Sequence, residues 1–236
     1  MYRIVIYLLS AAILLAHPAC GSGKNGQTEG ARGQKSAHKK HGNKANKHMH
    51  KIPFKKLVGY FESPGRAAWQ KPDLVMKMMG NLKNAVVADL GAGSGYFTFR
   101  LAKKAKKVIA LDPGDNFLKY LQDRKTKRNA ANVEIRKTPM TSTNLQPGEA
   151  DVILLVNAYH HINNRVEYFR KLRKKLKKGG MLIIVDFKKG KLPVGPPDDG
   201  HKLAGALVEK EIKEAGYSSV KQDRDSLRYQ YIVTGR

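Results

Sequence analysis

From Ile52 onward, apolar segments of strand length alternate with segments of helical periodicity, and this alternation constrains the fold more than any other feature. It is typical of a parallel sheet with helices on both faces. The apolar run Val152–Val156 indicates a central strand buried on both sides. We therefore predict an α/β fold with a Rossmann-like, mostly parallel seven-stranded sheet and an antiparallel last strand. The strands are expected at 85–89, 108–112, 133–136, 152–156, 181–187, 219–221 and 229–233.

The segments between these strands carry helical patterns. Helices are predicted over 96–105 and 117–127, and a last one around 203–215. Between the fourth and fifth strands, apolar residues recur at helical spacing, and Gly179-Gly180 is expected to end this helix. Its apolar face is formed by Val166, Phe169, Leu172 and Leu176.

A glycine-rich turn follows the first predicted strand, with the sequence Asp89-Leu90-Gly91-Ala92-Gly93-Ser94-Gly95-Tyr96. Glycines at such a turn let the backbone approach a ligand closely. A dinucleotide-binding turn would place its third glycine where Tyr96 stands. The spacing therefore disfavours a nicotinamide cofactor.

The second predicted strand ends in Asp112, at the distance where an acid can accept hydrogen bonds from both hydroxyls of a ribose. A plain turn before Pro113-Gly114 is the alternative role for Asp112. Ligands of open α/β sheets bind beyond the carboxyl ends of the strands. The glycine turn and Asp112 are both expected at that edge.

Four stretches together resemble the class I S-adenosylmethionine-dependent methyltransferases of the broad type 11 group. They are Val87–Phe97, Val108–Asp112, Asp151–His161 and Lys177–Phe187, and the similarity extends over most of 61–233. The segment Pro64–Pro72 resembles the segment before the first strand in a bacterial subgroup of these enzymes. The resemblance implies that S-adenosylmethionine is the cofactor.

Carried over residue by residue, the resemblance implies that the first-strand acid and the glycine turn hold the methionine part, and that Asp112 holds the ribose. Where the family often has an acid near the adenine, this chain has Thr138, so backbone contacts or packing of Met140 are expected to take its place. Trp69 is expected either to close over the cofactor or to join the core. The candidate cofactor-binding residues are Asp89, Gly91, Ala92, Gly93, Gly95, Tyr96, Asp112, Pro113, Thr138, Met140, Asn157, Trp69 and Gln70.

Methyl transfer needs a base only when the acceptor must lose a proton. The candidates are Tyr159, His160 and His161, directly after the fourth strand; each could instead have a structural role. Asp186, at the end of the fifth strand, could bind an acceptor or act as an anchor. The Asn-Pro-Pro-aromatic signature of many enzymes that methylate DNA bases or protein glutamine is absent, since Asn157-Ala158-Tyr159-His160 stands there.

The first twenty residues have the pattern of an export signal. Arg3 precedes an apolar run from Ile4 to Ala16 that is too short to span a bilayer comfortably, and the only cysteine, Cys20, follows it. This resembles a bacterial lipoprotein signal, with anchoring at Cys20; an uncleaved anchor, a cleaved signal or a mis-assigned start are the alternatives. We expect a signal segment over 1–20, a disordered basic tether over 21–51 and a methyltransferase domain over 52–236. Which membrane face the domain occupies stays open.

The formal charge is +26, with 45 Lys and Arg against 19 acids. It suggests contact with an anionic partner, or only a basic composition spread along the chain. A membrane surface is the expected partner of the tether, and no metal site is expected. The favoured function is methyl transfer to a small-molecule or lipid-like acceptor. The alternatives are a nucleic-acid methyltransferase or binder, and a module that binds the cofactor without catalysis.

Overall fold

The computed structural model describes residues 52–197 and 199–236. The predicted signal segment and tether lie outside the described residues. Within the described residues, no helix has the length and apolar character needed to cross a membrane.

The fold is a seven-stranded sheet in the order β3-β2-β1-β4-β5-β7-β6. Strands β1 to β5 are parallel, and β7 is antiparallel to both β5 and β6. This confirms the predicted fold class. The strands are β1 (Val86–Leu90), β2 (Lys107–Asp112), β3 (Val133–Lys137), β4 (Ala150–Val156), β5 (Leu176–Phe187), β6 (Lys221–Asp223) and β7 (Gln230–Gly235).

Helices cover both faces of this sheet. Residues that alternate along a strand belong to two different cores: Val87 faces the core that contains α3 to α5, and Ala88 faces the core that contains α6 and α7. The α-helices are α1 (Phe54–Phe61), α2 (Arg66–Gln70), α3 (Pro72–Lys77), α4 (Thr98–Leu101), α5 (Asp115–Lys127), α6 (Arg165–Arg173) and α7 (Gly205–Glu214), with 3₁₀ turns at Tyr159–His161 and Asp199–His201.

The prediction that Gly179-Gly180 ends a helix is wrong. Helix α6 ends at Arg173, and both glycines lie within β5. A Cβ on Gly180 would lie 3.0 Å from the carbonyl oxygen of Asp151, so glycine is required by the close approach of β4. The glycine pair therefore lies where the register between β4 and β5 shifts.

Three further boundaries differ from the prediction. The helix expected from residue 96 to 105 is the short α4, because residues 91–97 form the turn above it. Strand β6 begins at Lys221 rather than at residue 219, since Ser219 has a left-handed φ of 49° that a strand does not accommodate. Strand β7 runs to Gly235, two residues beyond the predicted end.

Candidate functional site

Three neighbouring strands end at one edge of the sheet and bring the predicted site residues there. The glycine turn follows β1, the turn that contains His160 follows β4, and Asp186 lies near the end of β5. The strand order reverses between β2-β1 and β4-β5, which is the switch point where ligands of open α/β sheets bind.

The three glycines of the turn all have positive φ, but space is restricted for a different reason at each. A Cβ on Gly91 would lie 2.6 Å from the Cβ of Ala158. One on Gly95 would lie 2.6 Å from Phe99. One on Gly93 would lie 3.3 Å from the ring of Phe61. The absence of a side chain at Gly91 thus lets the turn after β4 approach, and at Gly95 it leaves room for Phe99 of α4. Gly93 packs against Phe61 of α1.

We expect Gly95→Ala to destabilise the protein by about 2–4 kcal/mol, because the new methyl group clashes with Phe99 and Leu121 and the backbone has φ +82°. Gly148→Ala is the matched control, since φ is +62° there and nothing lies within 4 Å of the new Cβ. It should cost about 1 kcal/mol from backbone strain alone. Urea unfolding measures both values, and equal losses would contradict the packing role of Gly95.

Asp112 holds the glycine turn to the end of β2. Its Oδ2 accepts a hydrogen bond from the Gly93 backbone N–H at 2.9 Å, and its Oδ1 accepts one from Gly114 at 2.9 Å. Burial raises the pKa of this carboxyl, while the two backbone hydrogen bonds oppose the rise. A carboxylate has about four acceptor positions, so two remain for the hydroxyls of a ribose.

Asp89 is buried beneath the turn, and Thr98 donates a hydrogen bond of 2.6 Å to its Oδ2. Burial raises the pKa of Asp89 to about 6, and the negative charge of Asp112 adds to the rise. Arg66 opposes it. A cationic ligand group would relieve this unfavourable burial, so Asp89 is suited to an ammonium.

The ring of Tyr96 lies between two guanidinium groups, with Arg66 4.0 Å and Arg100 3.7 Å from its centroid. Its hydroxyl is buried and has no hydrogen-bond partner among the described residues. Burial lowers the pKa of Arg66 to about 10, so it stays charged at neutral pH. Three polar groups therefore lie at or next to the glycine turn: the buried anion of Asp89, the buried cation of Arg66 and the unsatisfied hydroxyl of Tyr96.

Helix α1 covers the turn from outside. The Phe61 ring stacks on Phe117 with centroids 5.7 Å apart. Glu62, at the end of α1, accepts a hydrogen bond of 2.7 Å from Ser94 Oγ and pairs with Arg124 at 2.6 Å. Arg124 also donates to the Ser94 carbonyl oxygen at 2.8 Å. This group of contacts joins α1, the glycine turn and α5.

The predicted adenine end has a loop without an acid at its centre. Thr138 is buried, its N–H donates to the Asp112 carbonyl oxygen at 3.1 Å, and its hydroxyl donates to the Ser142 carbonyl oxygen at 3.2 Å. Thr138 thus shapes the loop through its own hydrogen bonds. Met140 is half-buried and Pro113 is exposed at the rim.

A chain of polar side chains runs from the segment before β1 to the end of β4. Arg66 donates to Gln70 at 3.2 Å, Gln70 donates to Gln230, and Gln230 donates to Asn157 at 2.6 Å. Asn157 has a left-handed φ of 55°, as its place at the strand end requires. Trp69 is half-buried and lies 5.7 Å from Phe187 between ring centroids. Its position gives it contact with the end of β5.

His160 and Asp186 form a buried pair. The Nδ1 atom of His160 lies 2.9 Å from Oδ2 and 3.0 Å from Oδ1 of Asp186. The rings of His161 and His201 lie 4.2 Å and 5.9 Å from that of His160. Burial lowers the pKa of His161 to about 2, and the charges of His160 and His201 add to the effect. His161 is therefore neutral at working pH.

Tyr159 belongs to a different group of contacts from its two neighbours. It is fully buried, and its hydroxyl donates a hydrogen bond of 2.6 Å to Glu211. Glu211 also accepts two hydrogen bonds from Arg165, at 2.7 and 2.8 Å. Burial and the charge of Glu211 raise the pKa of Tyr159 well above its usual range. This placement favours a structural role over that of a base.

The residues at this edge fit S-adenosylmethionine. Asp112 has acceptor positions for the ribose, Asp89 is a buried anion suited to the methionine ammonium, and Arg66 is a buried cation suited to the carboxylate. The buried, unsatisfied hydroxyl of Tyr96 is a further polar contact for the amino-acid end. Gly93 keeps the backbone free of a side chain beside this group.

Four residues of this region carry contacts that the sequence pattern did not single out. They act across elements far apart in the chain, and no local spacing identifies such contacts. Arg66 lies in a segment noted only for resemblance, and Gln230 begins the last strand. The four are Glu62, Arg66, Arg124 and Gln230.

Residues 88–184 match the family model described as a methyltransferase domain. A tRNA U34 carboxymethyltransferase of Shewanella loihica is 31% identical over 137 residues, which is 57% of this chain and 41% of that protein. The chain thus spans about two fifths of the length of the curated relative it matches.

Solved structures share the fold. An S-adenosylmethionine-dependent methyltransferase from Aquifex aeolicus superposes with a TM-score of 0.70 at 24% identity, over 78% of this chain and 98% of that one. A coclaurine N-methyltransferase bound to N-methylheliamine and SAH has a TM-score of 0.54 at 23% identity, over 65% and 49%. Residues 88–184 thus match a methyltransferase domain, and the solved structures show that the chain has the fold of S-adenosylmethionine-dependent methyltransferases.

Proposed function

We propose that the protein transfers a methyl group from S-adenosylmethionine to a small-molecule acceptor held inside the fold. The observation that carries this proposal is the burial of the polar groups at the sheet edge where β4 and β5 end. Gln70, Asp186 and Gln230 are fully buried, and His160 is 4% exposed. A nucleobase that is part of a folded RNA would need an open surface or a pocket wide enough for a flipped base.

The donor is held through its amino-acid and ribose ends in this proposal. Asp89 pairs with the ammonium, Arg66 with the carboxylate, and Asp112 accepts from the ribose. When bound, S-adenosylmethionine supplies an electrophilic methyl group on a sulfonium. The protein's part is to align the acceptor with that methyl group and to exclude water, and most of the rate can come from such alignment.

Calorimetry of the full chain with S-adenosylhomocysteine tests the donor site. We expect saturable binding with one site per chain, and a loss of about 30-fold or more in affinity for Asp112→Asn, because the amide presents fewer acceptors to the ribose hydroxyls. Asp225→Asn is the matched control, since Asp225 is exposed and lies in the loop after β6. No binding by the unaltered chain would overturn the proposal.

Tritium transfer from labelled S-adenosylmethionine tests the acceptor class. The full chain is incubated with a bacterial extract that is then separated into small-molecule, lipid, RNA and protein fractions. We expect label in the small-molecule fraction. Label confined to RNA or protein would contradict an enclosed small acceptor.

A tRNA acceptor is the second candidate, favoured by the relative named as a tRNA U34 carboxymethyltransferase and by the net charge of +26. If it is correct, tRNA should bind the full chain with an affinity that falls steeply with salt, because each phosphate contact releases counterions. An affinity insensitive to salt would leave the small-molecule proposal as the better account.

A further inference from the structure

We infer that His160 is the base that removes a proton from the acceptor, that Asp186 positions it, and that the acceptor is therefore a protic nucleophile with an O–H or N–H group. This rests on the proposed function and narrows its substrate class. Acceptors that need no base, such as a thioether, a tertiary amine or a carboxylate, are excluded by it.

The pair fixes which ring nitrogen of His160 carries the proton. Both oxygens of Asp186 lie within 3.0 Å of Nδ1, and Oδ1 also accepts a hydrogen bond of 2.8 Å from the Phe187 backbone N–H. In the inferred pair Asp186 is a carboxylate, which only accepts hydrogen bonds, so Nδ1 of His160 is the donor. Nε2 of the neutral ring is then an acceptor, as a base requires.

The sequence order of the strand ends places His160 beside the donor. It lies two residues after Ala158, whose Cβ lies 2.6 Å from the Cβ position of Gly91 in the donor turn. Strand β4 lies between β1 and β5, so the turn after it stands between the glycine turn and Asp186. In this inference the acceptor binds between these strand ends, with the donor on the glycine turn at one side and the imidazole of His160 at the other.

The neighbouring groups leave His160 as the residue for this role. His161 is neutral, since burial and its histidine neighbours lower its pKa to about 2, and it is a weak base for that reason. Tyr159 is held by Glu211 in the core beneath. His160 has the carboxylate of Asp186 at its Nδ1 atom.

The step balances as follows. A bond forms between the acceptor atom and the methyl carbon, the carbon–sulfur bond of the sulfonium breaks, and the acceptor proton passes to Nε2 of His160. The products are the methylated acceptor, S-adenosylhomocysteine and an imidazolium next to the Asp186 carboxylate. Proton removal of this kind contributes about 10²–10⁴-fold to rate.

Long-range ¹H–¹⁵N correlation spectra of the full chain, labelled at its histidine ring nitrogens, test the geometry without any substrate. His160→Gln identifies the signal of His160 by its loss. We expect His160 in the Nδ1–H form in the unaltered protein. Asp186→Asn should change it to the Nε2–H form, because an amide can donate to Nδ1, as occurs when a triad carboxylate is replaced. An Nε2–H form in the unaltered protein would overturn the inference.

Methyl transfer with the same bacterial extract provides the second readout. We expect His160→Gln and Asp186→Asn to lower label transfer by about 10²–10⁴-fold. Their affinity for S-adenosylhomocysteine should stay within threefold, and Asp225→Asn should match the unaltered chain. Unchanged transfer in both variants would refute the role of the pair. Absence of cofactor binding in the unaltered chain would instead refute the proposed function, which separates the two failures.

Discussion

Replacing Asp89 by Asn is expected to make the protein more stable and to remove most of its affinity for the donor. The pKa of about 6, against an ordinary value of 3.8, means that ionised Asp89 destabilises the folded protein at neutral pH by about 3 kcal/mol. The amide is neutral and still accepts the hydrogen bond from Thr98. The donor loses a charged partner for its ammonium, which should weaken binding by about 2–4 kcal/mol, or roughly 30- to 1000-fold.

The stability gain has a defined pH window. The pKa of Asp89 is raised in the folded state, so its protonated form stabilises the unaltered protein. This stabilisation is complete below the unfolded-state pKa of 3.8 and is lost as the pH rises through the folded-state pKa of about 6. Asp89→Asn should therefore match the unaltered protein at pH 3.5 and exceed it at pH 7 in urea unfolding. Calorimetry with S-adenosylhomocysteine at pH 7 measures the expected loss of affinity in Asp89→Asn. A variant that lost stability at pH 7 would contradict the buried-anion account.

Glu211→Gln is expected to destabilise the protein by about 3–5 kcal/mol, because it leaves the buried guanidinium of Arg165 without a counter-charge. Glu211 is 2% exposed and joins α7 to α6 and to the turn that holds Tyr159. Burial alone would lower the pKa of Arg165, but the hydrogen bonds and charge of Glu211 raise it. The pair therefore stays ionised, and one partner cannot be removed without exposing the charge of the other.

Glu214→Gln is the control for this variant. Glu214 is on the same helix, its side chain is 44% exposed, and its pair with Lys210 is at the surface. Its loss should stay within about 0.5 kcal/mol. The double variant Arg165→Met with Glu211→Leu should recover most of the loss, since it removes both charges, although the Tyr159 hydroxyl and the Ile162 carbonyl oxygen lose their hydrogen bonds to this pair. Failure of the double variant to recover would indicate that packing, not charge, dominates here.

The sheet could be predicted from sequence because its strands are apolar runs separated by segments of helical period. The glycine turn after β1 could be predicted because Gly91, Gly93 and Gly95 lie close together in the chain, where their spacing is visible. The start of β6 could not be predicted, because it depends on the left-handed backbone angle of a single residue, Ser219. The helix end predicted at Gly179-Gly180 was wrong because the close approach of β4 to Gly180 is a tertiary contact, which the local sequence does not indicate.

The side-chain pairs of the site were beyond reach of any local pattern. His160 and Asp186 could both be placed at strand ends, but their mutual hydrogen bond depends on the pairing of β4 with β5. Tyr159 and His160 are adjacent in sequence and lie in different environments, because a 3₁₀ turn directs one into the core and the other toward Asp186. The polar chain from Arg66 to Asn157 joins three separate segments, so only the folded structure identifies it.

The contact between Gly91 and Ala158 restricts how this fold can acquire new acceptors. The turns after β1 and β4 touch there, and position 91 has no room for one more carbon atom. A side chain at position 91 would displace the glycine turn, which Asp112 holds through the Gly93 N–H, or the turn that contains Ala158. Directed evolution of acceptor range should therefore leave Ala158 unchanged and vary residues farther from the turn, such as Trp69.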